Sequence, residues 1–142
     1  LEKSLEYKTN DKIFIDRSES KFKHCQFQNN NEIIHFLDSK GYTSYKVGHL
    51  DFLEQVYLFS NAKTIIGAHG AAFSNIVFCK PQTNIIEVLP DTHNSKKCER
   101  LSDILNLNYK KILTPKLPDN KDKFGDINLE LKELQSIIEK TT

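Results

Sequence analysis

The fold is decided by the stretch Lys63-Thr-Ile-Ile-Gly67 and by the segment Ala68-His-Gly-Ala-Ala-Phe-Ser-Asn75 that follows it. The first five residues form a short β-branched run, which is typical of a buried strand. From Ala71 to Phe78 the pattern predicts a helix that begins abruptly after Gly70. A strand that passes into a helix through a turn of glycines and alanines indicates a parallel sheet built from βαβ units.

Short strands and helices alternate on both sides of this junction. Apolar and aromatic runs predict four further strands: Lys12–Asp16, Tyr42–Val47, Asn84–Leu89 and Tyr109–Leu113. Amphipathic spacing predicts four further helices, Asn31–Lys40, Asp51–Asn61, Ser95–Leu107 and Asp126–Lys140, with residues 114–125 as a linker. We therefore expect residues 1–142 to form a single α/β domain, a Rossmann-like three-layer α/β/α structure with a mostly parallel sheet.

Composition excludes several classes of protein. The 142 residues include 20 Lys and Arg and 19 Asp and Glu, and a net charge of +1 argues against nucleic-acid or membrane binding driven by bulk charge. No run of about 18 apolar residues is present, so we predict no transmembrane segment. The three cysteines are widely spaced, which predicts reduced core residues. The lack of any methionine indicates a piece of a longer protein.

Parallel sheets of this kind bind ligands at the carboxyl ends of their strands, so the residues just after each strand are candidates for the site. Arg17 and Ser18 follow the first strand. An arginine there suits a phosphate group, because its guanidinium presents two parallel donors. The alternative is a surface arginine that pairs with Asp16 or Glu19.

The turn after the third strand contributes six candidate ligand residues: Gly67, His69, Gly70, Ala71, Ser74 and Asn75. Its glycines and alanines let a ligand approach the backbone closely. The helix that follows directs free amide groups and the positive end of its dipole toward the same space, which favours an anion. His69 lies between strand and helix, where it can donate to a phosphate oxygen. The alternative is a packed, hydrogen-bonded histidine.

Glu87 lies in the apolar fourth strand, where a carboxylate is costly unless it is paired. We expect it to accept hydrogen bonds from ribose hydroxyls, and the alternative is a glutamate at the strand end that faces solvent. The turn at residues 67–75 is not a Walker A loop, a dinucleotide fingerprint or a nucleophile elbow. The spacing of the five histidines does not predict a metal site.

Five segments in order resemble motifs of one enzyme family: Phe14–Ser18, Glu54–Ala62, Gly67–Asn75, Phe78–Pro90 and Leu101–Tyr109. Residues 67–75 are similar to its Gly-x-His-Gly-Ala-Gly-Leu-Thr-Asn loop. The family is glycosyltransferase family 61, which includes enzymes of capsular-polysaccharide biosynthesis, and the resemblance covers about residues 12–113. Ala72 and Gln82 stand where the family often has glycine, and Gln82 then implies a type I turn or local strain.

The resemblance implies the C-terminal, nucleotide-sugar-binding lobe of a two-lobed GT-B glycosyltransferase. It implies inverting transfer from a nucleoside-diphosphate sugar to a saccharide acceptor, without a metal or a further cofactor. Arg17, His69 and Gly70 would hold and stabilise the leaving diphosphate, and Glu87 would lie near the ribose or the base. The catalytic base would belong to an N-terminal lobe of the parent chain. We therefore expect the 142 residues alone to bind nucleotide weakly and to transfer little.

We also expect a bacterial, cytoplasmic protein, with a peripheral place at the inner face of the membrane and no nucleic-acid partner. Two alternatives remain open. One is a non-catalytic nucleotide- or phosphate-binding module on the same fold, because a fold does not fix a function. The other is a protein-interaction domain in which the glycine-rich turn only packs a helix against a strand.

Overall fold

Five short strands form the centre of the domain, and the computed structural model describes residues 10–19, 25–118 and 125–141. The strands are β1 (Lys12–Ile15), β2 (Thr43–Tyr45), β3 (Thr64–Ala68), β4 (Asn84–Pro90) and β5 (Asn108–Thr114). The helices are α1 (Asn30–Ser39), α2 (Phe52–Asn61), α3 (Lys97–Ile104) and α4 (Leu131–Thr141), and two 3₁₀ helices cover Val47–His49 and Ala71–Phe78. Strands and helices thus alternate along the chain, as the sequence predicts.

The described strands all run parallel, in the order β2-β1-β3-β4-β5. The chain winds from β1 to β2 in one direction and from β3 to β5 in the other, so the strand order reverses between β1 and β3. The segments that leave the carboxyl ends of these two strands flank a crevice, which is where doubly wound sheets bind ligands. The predicted α/β fold with a parallel sheet is confirmed.

Both faces of the sheet are buried. Successive side chains of a strand point to opposite faces, so each strand contributes to two cores. Phe14 of β1 lies in the core beneath α1 and α4, where it packs in the same cluster as Leu134. Ile65 of β3 lies in the opposite core with Phe59 of α2, together with residues of α3 and of the 3₁₀ helix Ala71–Phe78. Burial of each such side chain contributes about 1.5–3 kcal/mol. The two cores establish the three-layer arrangement.

The C-terminal helix begins later than expected, at Leu131 instead of Asp126. Ile127 is fully buried and forms bridges with Phe27 and Lys116, so the chain before α4 is extended. The Leu129 backbone amide then donates to the Asn29 side chain. The apolar spacing that predicted a longer helix therefore reflects burial of an extended segment. Of the predicted linker 114–125, residues 119–124 lie outside the described part of the chain.

Two turns contain residues with left-handed backbone, Gln82 and Asn106. Asn106 has a φ of 57°, and this left-handed residue ends α3 at Ile104, so that the chain leaves the helix before Leu107 and enters β5 at Asn108. Gln82 has a φ of 71° in a turn closed by the Thr83 amide, which donates to a carbonyl three residues earlier. A positive φ at this position belongs to a type II turn and strains a residue with a side chain. Of the two predicted alternatives for Gln82, strain is the one observed.

The cysteines and the second helix agree with the sequence analysis. Cys25, Cys79 and Cys98 are buried, and no disulfide forms among the described residues. Burial raises the pKa of the Cys79 and Cys98 thiols to about 12, so both remain protonated near neutral pH. The second helix begins where the sequence predicts, and Asp51 caps it, because its side chain accepts from the Glu54 amide at 2.8 Å.

Candidate functional site

Two neighbouring clefts lie at the carboxyl edge of the sheet, one on each side of the turn at Gly70 and Ala71. The first, here called the switch-point cleft, has a volume of about 450 Å³ and is lined by Arg17, Ala71 and Asn75 among others. The second, here called the histidine cleft, has a volume of about 310 Å³, and its lining includes His69, Gly70, Ala71, Ser74 and Glu87. Seven of the nine predicted site residues therefore come together at one edge but divide between two spaces, whereas Ser18 and Gly67 line neither cleft.

Arg17 joins the carboxyl ends of β1 and β3. Its guanidinium lies against Gly70, and its Nη1 donates to the backbone carbonyl of His69. Burial lowers the pKa of Arg17, yet an arginine keeps its charge in a protein. Because a guanidinium has five N–H donors, this contact leaves others to face the switch-point cleft, which Arg17 lines.

The two glycines of the turn have a packing reason. Gly70 is extended, with a φ of 172°, so any residue could adopt its backbone conformation. A Cβ at Gly70 would collide with the guanidinium of Arg17. A Cβ at Gly67 would lie 3.0 Å from the Cβ of Ile15 and 3.3 Å from the ring of Phe73. Contact of a ligand with Gly67 or Gly70 stays a prediction, but packing alone accounts for both glycines.

His69 is held from beneath by a buried carboxylate. Its Nδ1 lies 2.8 Å from Oε2 of Glu87, and the hydroxyl of Tyr109 donates to Oε1 of Glu87 at 2.5 Å. Glu87 is fully buried, whereas the side chain of His69 is 22% exposed and reaches the histidine cleft. The solvent-facing alternative for Glu87 is therefore wrong. Contact of Glu87 with a ribose stays a prediction, and both carboxylate oxygens already have protein partners.

Burial is the main cause of a raised pKa at Tyr109, and its hydrogen bond to Glu87 adds to the effect. The phenol is therefore protonated near neutral pH and acts as a donor. Sequence reasoning missed Tyr109, and the signal that would have found it is the parallel register. Tyr109 and Lys111 lie opposite Ile85 and Glu87, so Tyr109 starts two residues from the buried carboxylate and on the same face. His93 was also missed, and its ring centroid lies 5.1 Å from that of His69.

The remaining predicted residues differ in their positions. Ser18 is exposed, and its backbone amide donates to Asp16 at 2.9 Å, so it turns the chain after β1. Ser74 is exposed at the histidine cleft. Asn75 lines the switch-point cleft and donates to the side chain of Gln55 at 2.9 Å. Gln55 in turn donates to the backbone that follows β2, so this pair ties the 3₁₀ helix Ala71–Phe78 to the cleft wall.

Two basic residues after β2 complete the switch-point cleft. Lys46 and His49 line it, and both pair with Glu19, at 2.6 Å and 3.2 Å. The hydrogen bond to Lys46 is the main cause of a lowered pKa at Glu19. Sequence reasoning missed both basic residues, because it drew its candidates from the ends of the first, third and fourth strands and not from the second. The predicted second strand runs to Val47, so the strand-end criterion would have found His49, whereas Lys46 lay within the predicted strand.

Within residues 10–19, 25–118 and 125–141, no group of three or more His, Cys, Asp or Glu side chains is arranged to hold a metal ion. Over the same ranges, no helix has the length and apolar character needed to cross a bilayer.

Comparison with known proteins identifies the family. No curated protein matches the chain. The family model described as Glycosyltransferase 61 matches residues 2–86, which is more than half of the 142-residue chain. The match includes Arg17, both glycines of the turn and His69, and it ends one residue before Glu87. It also includes Lys46 and Gln55, which the sequence reasoning had not placed in the site. The chain therefore belongs to the glycosyltransferase 61 family.

Proposed function

We propose that this domain is the donor-binding part of a sugar transferase and that the switch-point cleft binds the diphosphate of a nucleotide sugar. The observation that carries the proposal is the position of Arg17. It follows β1 at the point where the strand order reverses, in a cleft of about 450 Å³. Membership of the glycosyltransferase 61 family supplies the reaction class, transfer of a sugar to an acceptor.

The charges of the cleft support an anionic ligand. Arg17 and Lys46 line it together with His49, and the pair between Lys46 and Glu19 is solvent-exposed. An exposed ion pair contributes little free energy, so Lys46 can exchange its carboxylate partner for a phosphate oxygen at small cost. Arg17 is already fixed against Gly70, and a guanidinium positioned in advance loses less conformational entropy when it binds a phosphate.

The proposed chemistry follows from these cations. When the bond between the anomeric carbon and the donor's phosphate oxygen breaks, negative charge develops on the diphosphate. Fixed positive donors stabilise that charge and lower the barrier. We further propose that the transfer inverts the anomeric configuration, uses no metal and takes its base from another part of the parent chain. On this proposal, the domain is the C-terminal lobe of a bacterial, cytoplasmic GT-B enzyme of the capsular-polysaccharide type, and alone it transfers little sugar.

Calorimetric titration with UDP, GDP, CDP and inorganic phosphate tests the proposal. We expect one nucleoside diphosphate to bind more tightly than phosphate, and Arg17→Ala to weaken that binding at least about tenfold, the loss expected for a charge-assisted hydrogen bond. The matched control is Arg100→Ala, because Arg100 is exposed on α3 and lines neither cleft. Equal binding by both variants would refute a diphosphate site at Arg17.

A domain without a nucleotide site is the second candidate, and the packing of Gly67 and Gly70 favours it. On this view Arg17 only ties β1 to β3. Arg17→Ala would then lower the free energy of unfolding, and the wild-type protein would bind none of the nucleotides. A non-catalytic nucleotide-binding module predicts the same binding as the donor lobe. It is distinguished by the absence of sugar transfer when the parent chain is assayed with donor and acceptor.

A further inference from the structure

The ring of His69 is contacted by Glu87, which Tyr109 contacts in turn, and the proposed diphosphate site uses neither Glu87 nor Tyr109. Glu87 lies beneath the ring at 2.8 Å from Nδ1, and Tyr109 contacts the other oxygen of the same carboxylate at 2.5 Å. Glu87 is fully buried. A buried carboxylate is costly unless its oxygens accept hydrogen bonds, so the three side chains form one connected polar unit.

The protons of this unit can be assigned from its chemistry. An ionised carboxylate is only an acceptor, and the phenol of Tyr109 is a donor because its raised pKa keeps it protonated. The remaining carboxylate oxygen of Glu87 then requires a donor, and the atom next to it is Nδ1 of His69. A proton on Nδ1 leaves Nε2, on the opposite edge of the ring, without a proton in the neutral imidazole.

We propose that Glu87 and Tyr109 are positioning residues that hold His69 as the Nδ1-protonated form, with Nε2 directed into the histidine cleft. Ser74 and Lys97 line the same cleft, so Nε2 opens onto a polar space where a ligand oxygen can approach. Neutral Nε2 accepts from a hydroxyl, and protonated Nε2 donates to a phosphate oxygen. The orientation of His69 is independent of the proposed function, whereas its use in holding a nucleoside diphosphate rests on that function.

NMR of the unliganded protein with ¹⁵N-labelled histidine tests the orientation directly. Two-bond correlations between ring protons and nitrogens report which nitrogen carries the proton, and His69→Ala assigns the signal. At a pH above the range in which imidazoles titrate, we expect the Nδ1–H form for wild-type His69. A wild-type signal with the proton on Nε2 would overturn the proposal without any need for a variant.

Two conservative variants test the partners. Glu87→Gln replaces an obligate acceptor by an amide that can also donate, so we expect His69 to lose its single tautomer. Tyr109→Phe removes the second donor to Glu87, and we expect faster exchange of the Nδ1 proton with water. Tyr45→Phe is the matched control, because it removes a phenol from β2 and leaves Glu87 untouched. An unchanged His69 signal in folded Glu87→Gln, or equal exchange in Tyr109→Phe and wild type, would overturn the proposal.

Titration of the same variants with UDP, GDP and CDP tests the use of His69 in binding. We expect Glu87→Gln to weaken binding of the preferred nucleotide by about tenfold, since one misplaced hydrogen bond is worth about 1.4 kcal/mol. Binding equal to that of Tyr45→Phe would refute this use. The Nδ1–H form in a protein that binds no nucleotide would uphold the positioning role and refute the donor site, so the two failures are distinguishable.

Discussion

Replacement of Gly70 by alanine is the sharpest test of how the site is built. Gly70 has extended backbone, so alanine brings no conformational strain at this position. The added Cβ would collide with the guanidinium of Arg17, which lies directly against the glycine. The side chain of Arg17 must therefore move away, and its hydrogen bond to the carbonyl oxygen of His69 must break.

The magnitude follows from two opposing contributions. A hydrogen bond from a charged donor contributes about 1.5–3 kcal/mol. Replacing glycine by alanine in a permitted conformation stabilises a protein by about 0.4–1 kcal/mol, because the unfolded chain with alanine has less conformational freedom than the one with glycine. We expect Gly70→Ala to lower the free energy of unfolding by roughly 0.5–2.5 kcal/mol. At about 3 °C for each kcal/mol in a domain of this size, Tm falls by roughly 2–8 °C.

Urea denaturation of a double-mutant cycle is the assay. If the collision with Arg17 is the cause, Gly70→Ala costs nothing in an Arg17→Ala background and can even stabilise by about 0.4–1 kcal/mol. The control is Gly48→Ala, because no atom lies within 4 Å of the Cβ it would add. Equal destabilisation by Gly70→Ala in both backgrounds would refute the argument, and so would a Gly70→Ala protein as stable as Gly48→Ala.

Three further substitutions test other parts of the domain. Gly67→Ala overpacks the contact with Phe73, and we expect a loss of about 1–3 kcal/mol in urea denaturation, unchanged by removal of Arg17. Lys46→Ala removes the main cause of the lowered pKa of Glu19, so NMR titration should show that pKa rising. Because the pKa of Glu19 is lower in the folded than in the unfolded protein, its ionised form stabilises the fold at pH values above the unfolded-state pKa. This stabilisation is lost as the pH falls through the folded-state pKa. The free energy of unfolding of Lys46→Ala should therefore decrease less on acidification than that of the wild type. Asp51→Ala removes the cap of α2 and should cost about 1 kcal/mol, with Asp51→Asn near wild type.

The sequence predicts the sheet well because its strands are short, β-branched and separated by helices. It predicts the ends of helices less well, since a single residue such as Asn106 can end a helix that the apolar pattern continues. The segment before α4 shows the same limit, because burial of Ile127 in an extended chain has the spacing of a helix face. Candidate ligand residues followed from strand ends, but their division between two clefts depends on the path of the 3₁₀ helix, which no local pattern specifies.

Strand register explains why these residues meet. Ile15, Gly67 and Glu87 are Cα partners across β1, β3 and β4, so they form one row on the face that packs against the 3₁₀ helix Ala71–Phe78. Arg17 and His69 come two residues after Ile15 and Gly67, just beyond the ends of β1 and β3, which places them side by side. In the row Ile15, Gly67 and Glu87, the central residue Gly67 has no side chain, and the ring of Phe73 fills the space next to it. The turn at Gly70 thereby comes down between the two residues, and Arg17 and His69 face different clefts although they start from adjacent strands. A ligand that contacts both must cross the turn itself, so a nucleotide that loses affinity in Arg17→Ala and Glu87→Gln alike would lie across Gly70 and Ala71.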